Sequence, residues 1–283
     1  MQVFEKAITH IGLENATIGA EARSLRLLEV DLLVKAAPHA NLVPADEVTS
    51  ALRTYKDETE ISSMRKAVKI AQNALIATIP KICIGLTEQE IATELTMQLL
   101  QHGSEPRLPF FPIVSTGPNS ANPHAAPSDR KLAAGDLLVI DYGASADNYF
   151  SDITRTFAIG EVETEFQKIA EVVLAANQAG HAVAGPGVPA RDVDRAAREI
   201  IEAEGFGEFF FHRTGHGLGL EGHEEPYIRE DNNDLLEPGM SFTIEPGIYL
   251  PNRGGVRIED NVIITEDGCE SLTDLPRELF TIR

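Results

Sequence analysis

Gly135-Asp136-Leu137-Leu138-Val139-Ile140-Asp141-Tyr142-Gly143 is the stretch that decides the fold, because the chain carries a second version of it, Gly239-Met240-Ser241-Phe242-Thr243-Ile244-Glu245-Pro246-Gly247. In each copy a glycine precedes a short, mostly apolar run, and the run stops at a carboxylate followed by another glycine. Such a run, bounded by turn signals, predicts a buried strand. The acid then stands at the strand end, where the core gives way.

The repeat extends outward from these strands. Gly85-Leu86-Thr87-Glu88-Gln89-Glu90-Ile91, closing at Gly103, matches Gly187-Val188-Pro189-Ala190-Arg191-Asp192-Val193, closing at Gly205, with constant spacing. Both read as helices that stop at a glycine able to turn left-handed, and Thr87 with Glu90 forms a capping box for the first. Pro123-His124-Ala125-Ala126-Pro127 matches Gly222-His223-Glu224-Glu225-Pro226, each placing a histidine three residues before a proline. Ile61, Met64, Ala67, Val68, Ala71 and Leu75 recur at spacings of three and four, predicting a long helix from about Asp57. Residues 163–184 and 190–204 also read as helices, and residues 149–159, 240–250 and 256–265 as strands. Two helix-helix-strand units imply an α+β fold with an internal pseudo-two-fold axis and a site on that axis. Ahead of them, strands at 16–20 and 41–43 flank a helix near 24–36, a fragment of an α/β domain. The expected boundaries are 1–56 for this partial amino-terminal domain and 57–283 for the domain that carries the repeat.

Composition narrows the function. With 283 residues, 43% of them hydrophobic and 24% charged, the chain has the balance of a folded globular protein. A net charge of −20 with no Lys/Arg run leaves no electrostatic footing for nucleic acid or an anionic membrane. No apolar run approaches the roughly 18 residues of a membrane span, and the start lacks a signal peptide's basic and apolar regions, so a cytoplasmic location is expected. Cys83 and Cys269 have no CxxC spacing, which indicates neither a disulfide framework nor a thiolate zinc site.

The chemistry lies in the acids. A hairpin turning at Ala146-Asp147 would set Asp141 and Asp152 opposite one another on one face. Glu245 and Glu259 repeat this around Asn252, inside the turn-rich Pro251-Asn252-Arg253-Gly254-Gly255. Four carboxylates brought together resist ionisation unless cations neutralise them. Two divalent ions bridged by carboxylates meet that need and form a hydroxide from water near neutral pH. A nitrogen ligand is offered by His212-Arg213-Thr214-Gly215-His216-Gly217-Leu218-Gly219, where glycines let the backbone approach a crowded site closely. His10, His39, His102 and His181 read as structural or surface residues, whereas the repeat pairs His124 with His223.

Together the motifs resemble the M24 metallopeptidase family, the pita-bread (creatinase/aminopeptidase-like) fold of Xaa-Pro dipeptidases (prolidases) and Xaa-Pro aminopeptidases. They are Asp141-Tyr142-Gly143, Ser151-Asp152-Ile153-Thr154-Arg155-Thr156, the His212–Gly219 stretch, Glu245-Pro246-Gly247-Ile248-Tyr249 and Gly255-Val256-Arg257-Ile258-Glu259-Asp260. The resemblance covers the chain from about residue 45 onward. It implies Asp141, Asp152, His216, Glu245 and Glu259 as ligands of two divalent ions, with Asp152 and Glu259 bridging both. This oxygen-rich set suits Mn²⁺ or Co²⁺ and is compatible with Zn²⁺ or Fe²⁺.

By the same resemblance a metal-bridging hydroxide attacks the Xaa-Pro bond at the amino end of dipeptides or short proline-containing peptides. Glu245 would shuttle the proton and His223 would stabilise the tetrahedral intermediate. His124 and His212 would line the substrate side, Arg257 would orient a ligand carboxylate, and Tyr249 would border the site. Phe110-Phe111-Pro112 or Phe209-Phe210-Phe211 could wall a prolyl pocket, and Arg229 or Arg253 could meet a substrate carboxylate. A homodimer is implied. The departure is at the front, where residues 1–56 resemble only the last third of the family's amino-terminal domain, which leaves the dimer and the substrate-length filter open. Competing readings are a methionyl aminopeptidase, a non-catalytic peptide- or protein-binding relative, and a metal-independent amidinohydrolase such as creatinase. The complete ligand set disfavours the last two.

Overall fold

In the computed structural model, which describes residues 1–22 and 24–283, the glycines that punctuate the sequence repeat share one backbone conformation. Gly85 and Gly187 stand at φ 95° and 81°, Gly103 and Gly205 at 102° and 83°, Gly135 and Gly239 at 90° and 89°. Glycine holds this left-handed region without a steric penalty, so these positions can turn the chain identically in both halves.

The chain divides into two units, Met1–Arg53 and Thr54–Arg283. The first contains α1 (Gln2–Ile11), β1 (Thr17–Ala20), α2 (Leu27–Ala36) and β2 (Asn41–Pro44), and α3 (Asp46–Thr54) runs to its end. Strands β1 and β2 pair in parallel, with α2 as the crossover a parallel pair requires. Helices α1 and α3 lie outside the sequence expectation. In α1 Val3, Phe4, Ala7, Ile8 and Ile11 recur at helical spacing, yet only Ile8 is buried.

The second unit opens with α4 (Glu58–Thr78) and α5 (Glu88–Gln101), followed by β3 (Ile113–Thr116), β4 (Leu137–Tyr142), β5 (Ser145–Ala146), β6 (Tyr149–Phe150) and β7 (Ile153–Ile159). The pattern then recurs as α6 (Thr164–Val183), α7 (Ala190–Ala203), β8 (Gly215–Gly217), β9 (Glu224–Ile228), β10 (Ser241–Ile244), β11 (Gly247–Leu250), β12 (Gly254–Arg257) and β13 (Asp260–Ile264), with β14 (Cys269–Ser271) and β15 (Phe280–Ile282) closing the chain. Capping boxes at Asp57/Glu60 and Thr87/Glu90 start α4 and α5. Matching backbone bonds tie each half: Gly85 N–H donates to Leu132 O at 2.9 Å and Gly187 N–H to Leu236 O at 2.7 Å.

Two sheets carry the site, one ordered β15-β7-β4-β3 and the other β14-β13-β10-β8-β9. Helices α4 and α5 cover the first through a core that includes Ala71, Leu75, Ile91, Leu95, Leu138, Ile140 and Phe157. Helices α6 and α7 pack on the β11-β12 hairpin through Phe166, Val173, Ala197, Ile201, Ile248 and Val256. An isolated backbone bridge between Thr154 and Glu259 joins the two halves. Among the described residues no helix is long and apolar enough to cross a membrane.

The first hairpin corrects the expected turn. Strand pairing places Asp141 opposite Thr154, and Ser145 opposite Phe150, so the turn is Asp147-Asn148 rather than Ala146-Asp147. Both turn residues have positive φ, 52° and 68°, a conformation that Asp and Asn tolerate better than Ala. The shift is two residues, and side chains alternate with period two, so Asp152 keeps the face of Asp141 while losing its place directly opposite. Strand 149–159 is also interrupted at Ser151-Asp152, and strand 240–250 at Glu245-Pro246, where proline cannot donate to a ladder. The second hairpin has the expected register: Gly247 opposes Arg257 and Ile244 opposes Asp260, with Asn252 at φ 61° in the turn.

Candidate metal centre and its cavity

The interruptions in the strands are where the acids sit. Asp141 is in the end of β4, Asp152 lies between β6 and β7, Glu245 between β10 and β11, Glu259 between β12 and β13, and His216 is the middle residue of β8. All five line one cavity of about 600 Å³. One ligand atom each from Asp152, His216 and Glu259 fall within 4.8 Å of one another. His216 Nε2 is 3.4 Å from Glu245 Oε1 and 3.7 Å from Asp152 Oδ2.

This grouping is electrostatically incomplete. Burial, and the neighbouring acids, push Asp152 and Glu259 well above the usual carboxylate range, and burial pushes Glu245 to about 7. Burial and the charge of His223 hold His216 down to about 3, so its ring is neutral. Its Nδ1 donates to Gly217 O at 3.0 Å, which leaves an unprotonated Nε2 facing carboxylate oxygens. Asp141 Oδ1 and Asp152 Oδ1 are buried with no hydrogen-bond partner among the described residues. A buried acceptor left unpaired costs about 1–3 kcal/mol, and more when charged. A divalent cation removes each of these penalties, and the donor set fits one.

Surrounding residues hold the acids in place. Arg257 donates to Asp141 Oδ2 at 2.6 Å, to Tyr249 Oη at 2.9 Å and to Thr154 Oγ1 at 3.1 Å. Thr154 in turn donates to Glu259 Oε2 at 2.6 Å. Asn261 accepts the Asp152 N–H at 3.0 Å and donates to the Asp152 carbonyl. Thr243 accepts the His216 N–H at 3.1 Å and reaches Glu245 Oε1 at 3.3 Å. Strand β8 lies so close to β10 that a Cβ on Gly215 would come 1.8 Å from Thr243 O.

The histidines divide into two kinds. His212 has both ring nitrogens engaged, Nδ1 donating to Arg213 O at 2.7 Å and Nε2 accepting from Tyr249 at 2.9 Å. Burial, and then Arg257, hold it down to about 3. His223 and His124 make no ring hydrogen bond among the described residues, and both line the cavity. The His223 ring lies 4.0 Å from that of His216.

With this geometry in place, the chain can be compared with known proteins. Residues 62–266 match metallopeptidase family M24. The chain belongs to that family. It is 44% identical over 235 residues to the Xaa-Pro dipeptidase of Pyrococcus furiosus, spanning 83% of this chain and 67% of that one. It superposes on the X-Pro aminopeptidase of Thermotoga maritima with a TM-score of 0.91 at 38% identity, covering 99% of this chain and 79% of that one. A Pyrococcus horikoshii dipeptidase matches with a TM-score of 0.94 at 39% identity, over 99% and 78% of the two chains. The fold of this M24 metallopeptidase is therefore the pita-bread fold.

Several residues of the M24 peptidase stand elsewhere than its sequence suggests. Tyr249 is buried behind His212, outside the cavity lining, with its hydroxyl bonded to His212 and Arg257, which do line it. Phe110 and Phe111 line the cavity with Pro109 and Ile113, whereas Phe209 and Phe210 pack into the α6–α7 core. Arg253 is exposed and paired with Glu163, outside the cavity. Arg229 lines it but is paired with Asp231 at 3.1 Å. Sequence reasoning assigned no role to Thr154, Asn261 or Arg213. Thr154 and Arg213 lie within the Ser151–Thr156 and His212–Gly219 motifs, whereas Asn261 lies in none. Arg213 lines the cavity with its guanidinium 4.7 Å from the Tyr227 ring centroid, and its side chain has no ion pair among the described residues.

Proposed function

We propose that this M24 peptidase hydrolyses the Xaa-Pro bond at the amino end of dipeptides or short peptides, with two divalent ions, Mn²⁺ or Co²⁺, held by Asp141, Asp152, His216, Glu245 and Glu259. The observation that carries this reading is the buried group of four carboxylates and one neutral imidazole, short of positive charge and open to a substrate-sized cavity. The names of its relatives, Xaa-Pro dipeptidase and X-Pro aminopeptidase, support the prolyl specificity.

Bound there, the ions would make hydroxide available near neutral pH and polarise the scissile carbonyl. The chain's own residues do the rest. Asp152 and Glu259, with Asp141, His216 and Glu245, would hold the ions. Glu245 holds the proton lost by the attacking water and returns it to the departing prolyl nitrogen. His223, with a free ring nitrogen, donates to the oxygen that gains charge, and His124 at the rim contacts the peptide. His212, with no nitrogen to spare, forms a wall. Phe110, Phe111, Pro109 and Ile113 give the prolyl ring an apolar surface. Arg213, which lines the cavity and makes no ion pair among the described residues, meets the substrate carboxylate.

The test is hydrolysis of Ala-Pro, Ala-Pro-Ala and Met-Ala-Ser by chelated protein with Mn²⁺, Co²⁺ or Zn²⁺ restored. Metal-dependent release from a prolyl peptide, with Met-Ala-Ser intact, is expected. Cleavage of Met-Ala-Ser alone would make it a methionyl aminopeptidase. No cleavage by protein holding two ions would overturn the prolyl reading.

A further inference from the structure

Lys56 is a buried lysine that none of the steps above uses. Its side chain is 1% exposed, and Nζ lies 3.2 Å from Oε2 of Glu224, whose side chain is 7% exposed. Burial lowers its basicity while Glu224 raises it, so the pair persists against a desolvation penalty. Buried ion pairs add little stability over apolar residues of similar size, although losing one partner is costly. Their use is to fix a geometry.

The geometry here is a loop. Glu224 directly follows His223, and its other oxygen accepts the Glu221 N–H at 2.9 Å. Gly219, at the start of the loop, packs so tightly that a Cβ would come 2.9 Å from both Glu224 Oε2 and Lys56 Cε. The Gly219 carbonyl accepts the Phe150 N–H at 2.8 Å. At the other end Lys56 is anchored: its own N–H donates to Gly239 O at 2.8 Å, and the capping residue of α4, Asp57, follows immediately. The intervening Leu218-Gly219-Leu220-Glu221-Gly222 has no regular structure, and its glycines give it little stiffness of its own.

We propose that Lys56 is a positioning residue: through its ion pair with Glu224 it holds residues 218–224 so that His223 stands over His216. The proposal rests on the part given to His223 above.

The test uses the full chain loaded with Mn²⁺ and the substrate Ala-Pro, with Lys56→Met, His223→Ala and the double variant. Methionine keeps the stem and removes the charge. Misplacing a group by about 1 Å can cost about 100-fold, so Lys56→Met is expected to lower kcat by about 10- to 100-fold with KM and bound Mn²⁺ unchanged. In the His223→Ala background the same change is expected to lower kcat by less than about twofold, because both act on one step. Equal losses in both backgrounds overturn the proposal. Should Lys56→Met fail to fold, Lys56→Met/Glu224→Met leaves no lone charge, and a wild-type kcat there overturns it too.

Histidine-labelled NMR of the metal-free protein gives a readout independent of turnover. Lys56→Met is expected to move the His223 ring resonances and leave those of His124 in place. Unmoved His223 resonances overturn the proposal whatever the activity. A His223→Ala variant with full kcat would instead refute the role of His223 in the reaction.

Discussion

Removing metal from this M24 peptidase is expected to make its stability fall with rising pH. In the metal-free cluster burial moves Glu245 from its ordinary 4.5 to about 7, and Asp152 and Glu259 move in the same direction. A carboxyl whose folded value lies above its unfolded one keeps its proton longer in the folded chain. Its stabilisation is therefore fully present below the unfolded value and is lost as pH rises through the folded one. For Glu245 alone the displacement corresponds to about 3 kcal/mol, at about 1.4 kcal/mol per pH unit. In a chain of this size that is a fall in Tm of roughly 6–12 °C.

The assay is calorimetry of chelated wild type and Glu245→Gln between about pH 4 and about pH 8, where glutamine keeps the shape and cannot titrate. The two are expected to melt together at the acid end. At the alkaline end the glutamine variant is expected to be the more stable by about 3 kcal/mol. Adding Mn²⁺ is expected to close most of that gap, since an ion at 100 times its Kd contributes about 2.7 kcal/mol to the protein that binds it. The general repulsion within a chain of net charge −20 acts almost equally on both and cancels in the comparison. Parallel pH profiles for the two chelated proteins would refute the claim that the loss of water around Glu245 raises its carboxyl.

Asp152→Ala and Glu259→Ala each remove a proposed ligand of both ions; peptidase activity is expected to vanish and elemental analysis to show at least one ion lost, whereas two retained ions would disprove that assignment. Arg213→Met is expected to raise KM for Ala-Pro by about 10- to 100-fold, the worth of a charge-assisted bond, while kcat and KM for Ala-Pro-amide stay put. Equal effects on acid and amide would remove Arg213 from carboxylate recognition. Asn261→Ala strands the N–H and carbonyl of Asp152. It is expected to lower stability by about 2–4 kcal/mol in denaturant titration, and a change under about 0.5 kcal/mol would show those groups to be hydrated instead.

Local chemistry is legible in a sequence because it is decided between neighbours. Left-handed glycines, capping boxes and turn residues each act over a few positions, which is why α5, α7 and the Asn252 hairpin stand where the residues placed them. The acids at strand ends and the His216 stretch were equally readable, since the alternation of a strand sends positions of equal parity to one face. The turn stands at Asp147-Asn148 rather than at the expected Ala146-Asp147, yet Asp152 still faces the right way for that reason. Partners between distant segments obey a different rule. Whether Tyr249 reaches a substrate or hides behind His212, whether Arg213 keeps its charge unpaired, and that Lys56 meets Glu224 across 168 positions depend on which donors are already taken and which charges lose their water. Those competitions are settled only when the two halves close on one another, because burial, not sequence distance, sets what an unpaired polar group costs.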